Sequence, residues 1–340
     1  MRAAVFDGAG KKLEVRQAAD PTPERGQLVL KVRYCGICGS DLHMTEAGAV
    51  MNPSPGSILG HEFCGEVVAV GPGADAWKEG DRITALPFMG CGSCVECLAG
   101  QPVWCSQVRS HAGGAVPGGF AEYVTVGAGE AVRLPDSLDW KAGALIEPLA
   151  VGLHGVDLAR LRPGADVLVV GAGPVGLAVV AAARAMGAGR IVVTAKSDRR
   201  AELALSLGAT NFVTMEEKVG RVFRSLTGGP PEVVFECVGS PGMIDYCVGL
   251  AGPRATVVVL GVCMRQDTLL PMRGVMKEVN LQFSNAYGVR DFRVAAEMLA
   301  TSRVDLSDMV TDIVGFDEFP EAFEQLRQRT HQCKVLLSPD

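Results

Sequence analysis

Four cysteines crowd the stretch "CGSCVECLAGQPVWC", residues 91 to 105: Cys91, Cys94, Cys97 and Cys105. Two residues separate the first pair, two the second and seven the third. Disulfides, a redox couple or a metal cage would each use such thiols. A redox reading of Cys94 and Cys97 leaves Cys91 and Cys105 unexplained, whereas four thiolates at these spacings surround one tetrahedral zinc with no position left free. Gly92 and Gly100 let the backbone turn tightly around something small. The spacing therefore predicts a closed structural zinc site in a lobe, residues 88–107, that has almost no apolar core of its own.

A second set is dispersed. "YCGICGSDLH" holds Cys38, Ser40, Asp41 and His43, and "GHEFCG" holds His61 and Glu62. One cysteine, one histidine and a carboxylate from separate segments hold zinc while leaving a place for water or substrate, as a catalytic site requires. A third motif, "GAGPVG", sets Gly171, Gly173 and Gly176 around Pro174 and Val175, between a valine-rich run and a small-residue run. There the first glycine makes the turn, the second lets the backbone approach a pyrophosphate, and the third lets helix and strand pack closely. The six-residue pattern alone is weak; its place between strand and helix makes it a dinucleotide site.

Elements must position these groups. The chain has 340 residues, 48% of them hydrophobic, enough for two cores. Short β-rich runs, "DVLVVG" (166–171), "RIVVTA" (190–195), "NFVT" (211–214), "EVVFEC" (232–237) and "ATVVVLG" (255–261), alternate with helical runs. That alternation predicts βαβ units and a doubly wound parallel sheet. In "SDRRAELALSLGA", Ser197 is placed to cap a helix and Gly208 to end it. Residues 1–147 read as a mostly β domain with Gly/Pro turns. The tail, with helical "DFRVAAEMLATSR" and "EFPEAFEQLRQRT" and strand-like "CKVLLS", is expected to pack back on that domain. The expected division is 1–147 with 286–340, and 148–285.

The net charge of −6 and the lack of a basic run argue against nucleic acid as partner. The longest uncharged run, Val167 to Ala183, is short for a membrane span and interrupted by Gly and Pro. The N-terminus has no apolar segment of signal-peptide length, so eleven cysteines read as thiols in a reducing compartment, the cytoplasm. Cys35, Cys64, Cys237, Cys247, Cys263 and Cys333 share no ligand spacing and are expected in the core. His111, His154 and His331 are expected to be structural or exposed.

The order of "CGICGSDLH", "GHE", the four-cysteine lobe, "LIEPLAVGLHG" and "GAGPVG" resembles the zinc-dependent medium-chain alcohol dehydrogenase family across the whole chain, and is most similar to its polyol and butanediol branch. The resemblance implies a GroES-like catalytic domain joined to a Rossmann domain. It further implies a catalytic zinc on Cys38, His61 and either Glu62 or Glu147, with Asp41 behind His61. Zinc would make a substrate hydroxyl acidic so that its carbon-bound hydride passes to a nicotinamide, with Ser40 and His43 carrying the proton outward. Cofactor contacts are implied at the glycine turn and at Val238, Gly261, Val262 and Lys334. Met44 after His43, and Ala286 where polyol-specific relatives place an arginine, suggest a less polar secondary alcohol, diol or ketone. The alternatives are an NAD-dependent polyol dehydrogenase, a metal-free quinone or enone reductase, and a non-catalytic zinc and nucleotide binder. A homo-oligomer, dimer or tetramer, is implied as well.

The cofactor reading turns on "IVVTAKSDRR". NAD sites normally end the second strand with an acid that accepts from the ribose hydroxyls. Here Ala195 stands 24 residues beyond Gly171, no acid occurs from Val192 to Ser197, and Lys196, Ser197, Arg199 and Arg200 follow. Hydroxyl and cationic donors without a carboxylate suit a 2′-phosphate, so NADP(H) is expected in preference to NAD(H).

Overall fold

Two compact units appear in the computed structural model, which describes residues 1–328 and 331–340. One comprises Met1–Glu147, Tyr287–Thr301 and Met309–Asp340, the other Pro148–Ala286 and Ser302–Asp308.

The first unit is built on the long strand Gln27–Gly36, whose apolar run is buried on both faces. It pairs antiparallel with Glu62–Val70, with Tyr123–Gly127 and with Lys334–Leu337. Val310–Val314 adds beyond Lys334–Leu337 in parallel, and Arg82–Ala85 and Ala131–Arg133 extend the other side. The sheet thus needs strands from both ends of the sequence. The same holds for its core, where Phe319 from a C-terminal helix, Phe319–Gln325, lies 4.8 Å from Phe120. Each fully buried phenylalanine there contributes about 1.5–3 kcal/mol. The expected run of that helix onward to Arg329 and Thr330 lies outside the described residues.

The second unit is a six-stranded parallel sheet in the order Asn211–Thr214, Ile191–Ala195, Val167–Val170, Val233–Glu236, Thr256–Val259, Asn280–Phe283. Its central strands are uninterrupted buried valine runs, the pattern of a sheet covered on both faces. The order reverses between Val167–Val170 and Val233–Glu236, and ligands of such sheets bind outside the carboxyl ends at that switch point. Asn280–Phe283 was not legible as a strand because it is mostly exposed and half polar. The first strand ends before Gly171, whose φ of +108° departs from extended backbone.

Two local expectations need correction. Ser197 does not cap the following helix, which runs Ala201–Ser206 with Arg200 at its N-cap; Ser197 sits in the preceding turn instead. Gly208 does lie just past its end, at φ +110°. Cys237 and Cys263 are only half-buried, unlike Cys35, Cys64, Cys247 and Cys333.

Candidate active site and metal centres

Cys38 leaves the long strand and forms the N-cap of a short helix, Gly39–Met44. Asp41, fully buried on that helix, accepts the Cys38 amide through Oδ2 at 3.0 Å. Its Oδ1 stands 3.2 Å from His61 Nδ1, so one carboxylate orients both the cysteine and the histidine. Arg327 fastens the helix by donating to Leu42 O and Thr45 Oγ1, each at 2.7 Å. Ser40 Oγ lies 3.5 Å from the other ring nitrogen, His61 Nε2. Cys38, His61 and Glu62 present ligand atoms all within 4.8 Å of one another.

Glu62 opens its strand opposite Gly36. A Cβ on Gly36 would stand 2.1 Å from Glu62 Oε2, so the missing side chain makes the space that the carboxylate occupies. There Glu62 meets Lys334, whose Nζ donates to its two oxygens at 2.7 and 2.6 Å and to Ile37 O at 3.1 Å. Both residues are almost completely buried. Breaking such a pair from one side costs about 3–5 kcal/mol. Gly36→Ala is therefore expected to destabilise the protein by that order, and to release metal from this cluster first. Chemical denaturation and metal content of the purified variant check this; an unchanged midpoint refutes it.

The cluster is electronegative. Burial alone disfavours a charged His61, but the charges of Asp41 and Cys38 outweigh that and hold its imidazole well above the usual range. Burial, then the neighbouring Glu62, push Glu147 up to about 7. Tyr287, also fully buried, donates its hydroxyl to Glu147 Oε1. Cys38, Glu62 and Glu147 thus all act on the buried Lys334 ammonium, and Asp41 and Cys38 on His61. A field that favours a proton on His61 favours a metal cation in its place, and thiolate, imidazole and carboxylate are donors that suit zinc. His43 is half-exposed, with Nδ1 3.4 Å from Glu46, at the outer end of the same helix.

The four cysteines of the lobe also converge, their sulfurs within 4.8 Å of one another. Amides of Cys91 and Gln107 point at Cys105 Sγ, and the amide of Cys94 at Cys91 Sγ, each at 3.4 Å. Donors from Ser93 and Cys94 hold the Cys91 thiol down to about 6, the thiolate form a metal requires. Gly92 and Gly100 adopt φ of +75° and +74° at the turns of the lobe.

In the second unit, Gly171 follows the first strand and its amide donates to Thr194 O at 2.8 Å. A Cβ on Gly176 would meet Gly171 O at 1.9 Å, whereas nothing lies near one on Gly173. Gly173 caps the twelve-residue helix Pro174–Ala185, and Gly173, Pro174 and Val175 are partly exposed at its start. That leaves an open helix N-terminus at the switch point, as a phosphate needs. Arg200 Nη1 reaches back to Ala172 O at 3.0 Å. Arg199 Nε meets Ser197 Oγ at 3.3 Å, and Lys196 is exposed beside half-buried Ala195. Asp198, just past the stretch read for an acid, is exposed in the same turn. Val238, Gly261 and Val262 follow the next two strands. Lys334 is placed elsewhere, at the metal cluster, with its three hydrogens already used on Glu62 and Ile37.

Two participants escaped the sequence reading. Tyr287 stands 140 residues from its partner Glu147, and no local spacing signals the pair. Glu236 ends its strand buried, and accepts the amides of Val238 and Gly239 at 2.7 and 2.9 Å, shaping the loop at the switch point.

A beta-rich unit carrying a Cys/His/Glu cluster and a four-cysteine cage, with a doubly wound unit beside it in sequence, defines a class: the chain belongs to the zinc-dependent medium-chain alcohol dehydrogenases, oxidoreductases that transfer hydride. Residues 24–136 match the alcohol dehydrogenase GroES-like domain and residues 174–301 the zinc-binding dehydrogenase domain. Sorbitol dehydrogenase of Bacillus subtilis (strain 168) is 32% identical over 100% of this chain and 98% of its own. The crystal structure of 2R,3R-butanediol dehydrogenase from Bacillus subtilis superposes with a TM-score of 0.89 at 30% identity, covering 100% of this chain and 99% of that one. A zinc-binding dehydrogenase from Sinorhizobium meliloti 1021, solved bound to NADP, gives a TM-score of 0.90 at 33% identity, covering 99% of each chain.

Proposed function

We propose that this dehydrogenase interconverts a secondary alcohol or vicinal diol and the corresponding ketone, using NADP(H), with one zinc on Cys38, His61 and Glu62 and a second on Cys91, Cys94, Cys97 and Cys105. The observation that carries this reading is the convergence of one thiolate, one imidazole and one carboxylate within 4.8 Å, three protein ligands that leave a fourth position for substrate. Zinc held there supplies Lewis acidity toward the substrate oxygen. The protein supplies the rest. Asp41 fixes the His61 tautomer so that Nε2 faces the cluster. Ser40, beside Nε2, is placed to hydrogen-bond the reacting oxygen, and half-exposed His43 would pass the hydroxyl proton outward to solvent through the ribose of a bound cofactor. A bound nicotinamide would take the hydride from the carbon that bears this hydroxyl, which with loss of the hydroxyl proton balances a two-electron oxidation to the ketone.

Support for NADP(H) comes from Ala195 at the strand end and from Lys196, Ser197, Arg199 and Arg200 around it. Solved relatives hold either nucleotide, NADP in one and NADH in another, so the reading rests on these side chains. Lys334, Val238, Gly261 and Val262 remain our proposed cofactor contacts, Lys334 only if it releases Glu62. Free thiols support a cytoplasmic setting, and the resemblance supports a dimer or tetramer. The sorbitol and butanediol relatives bracket the substrate: buried Met44 and partly buried Ala286 offer no charge, which favours the shorter, less polar alcohol. In a panel of diols, cyclic alcohols and polyols, 2,3-butanediol or a simple secondary alcohol is expected to exceed sorbitol and xylitol in kcat/KM by roughly tenfold, the value of one or two lost methylene or hydroxyl contacts. A polyol ranking first would overturn the substrate assignment.

A further inference from the structure

We propose that Tyr287 is a positioning residue of the active site, whose hydroxyl holds Glu147 beside the metal cluster; the inference rests on the reading of Cys38, His61 and Glu62 as the catalytic zinc site. The two buried carboxylates there are held in different ways. Glu62 has both oxygens on the Lys334 ammonium. Among the described residues, Glu147 receives a side-chain hydrogen bond from Tyr287 alone. Glu147 feels the charges of Glu62, His61 and Lys334, and Tyr287 those of Glu147, Glu62 and Cys38, so the pair borders the ligands. A neutral phenol neither competes with the metal for a carboxylate as an ammonium does nor cancels its charge. It fixes one oxygen and leaves the other to a metal, or to a water or hydroxyl at the open position.

The tyrosine is itself held firmly. Its ring packs 5.0 Å from Phe292 and 6.1 Å from Phe88. The next residue, Gly288, caps the helix Val289–Ala300 through Asp291 Oδ2 at 2.8 Å, and the Val289 amide donates to Gly100 O of the cysteine lobe at 2.9 Å. On the other side Ala286 adopts φ +54°, a left-handed conformation costly for any residue with a Cβ. A strained residue beside an anchored ring is the arrangement in which structure over-determines a functional geometry. A phenylalanine fills the same space and keeps the ring contacts, so only the hydroxyl's role is removed by substitution.

The test compares the native enzyme, Tyr287→Phe, Glu147→Gln and the double variant, each in the zinc form and with cobalt(II) replacing zinc at the open site. Removing a group that orients a metal's surroundings costs about 10–100-fold in metal affinity or activity. In Tyr287→Phe, kcat is expected to fall by that factor while alcohol KM changes less than about threefold. The cobalt d–d spectrum should shift, and zinc should pass to a chromogenic chelator faster by about tenfold. All three changes should vanish when Tyr287→Phe is made in the Glu147→Gln background, because the hydroxyl then has no carboxylate to hold. An unchanged cobalt spectrum and chelator rate in Tyr287→Phe overturn the proposal, as does an equal effect in both backgrounds. The absence of dehydrogenase activity in the native protein would sink the functional reading alone; cobalt binding and chelator kinetics still decide the role of Tyr287.

Discussion

Cys38→Ser is expected to remove turnover while leaving a folded protein. Cys38 sits at a helix N-cap on a half-buried loop, and serine there still accepts an amide and keeps Asp41 in place. What is lost is the thiolate, and with it the cation that polarises the substrate oxygen. Removal of one preorganised electrostatic contact to a reacting oxygen typically costs on the order of 10²–10³ in rate, and removal of the ion costs at least that much. Cys97→Ser should have the opposite signature. The lobe has few apolar contacts of its own, with Val95, Leu98 and Trp104 all exposed, so the proposed zinc on its four sulfurs would have to hold it. Loss of one ligand should therefore lower stability and solubility, because metal binding to such a cage is folding free energy. Chelation should accordingly act in two stages, activity first and cooperative unfolding later. Metal analysis, rates and thermal melts on the same samples check the order. Full turnover by a verified zinc-free Cys38→Ser protein would remove the proposed mechanism.

The native chain is expected to prefer NADP(H) over NAD(H) by about 10²-fold in kcat/KM. Hydrogen bonds to a charged group are worth about 1.5–3 kcal/mol each, and even one or two of them at a 2′-phosphate give a ratio of that order. Ala195→Asp with Arg199→Ala introduces the acid and removes a guanidinium, and should lower the ratio to near unity or below. Arg200 is a poorer choice for this test because its guanidinium also braces Ala172 in the glycine turn. Asp198 gives the experiment its edge: if its carboxylate rather than the cations faces the ribose, the native enzyme will prefer NAD(H) and the assignment fails.

Much of the fold was legible because it is written locally. Valine runs such as 167–170 announce buried parallel strands, and Gly171, by its φ, and Gly176, by its contact with Gly171 O, mark the turn between strand and helix, while Gly173 leaves the space above it open. The Cys91 to Cys105 spacing is local too. Partnerships across the fold were not legible. Lys334 carries no sign in "CKVLLS" that it will be buried against Glu62, since an isolated lysine in a sequence reads as a solvated charge or a phosphate ligand. Gly36 carries no signal of its own in the sequence, and its place beside Glu62 follows from strand register. The Ser197 cap failed for a different reason: serine favours turns as strongly as caps, and here the turn took it.

The pairing of Glu62 with Lys334 also sets an order of events during synthesis. Glu62 is made 272 residues before its partner, an interval of roughly 15–55 s at cellular elongation rates. Throughout that time the strand Gln27–Gly36 lacks its neighbour Lys334–Leu337, and the Glu62 carboxylate lacks its ammonium partner. Desolvating that carboxylate is therefore unfavourable until the C-terminal strand arrives, which leaves the doubly wound unit, continuous in sequence except for Ser302–Asp308, as the one able to complete itself earlier.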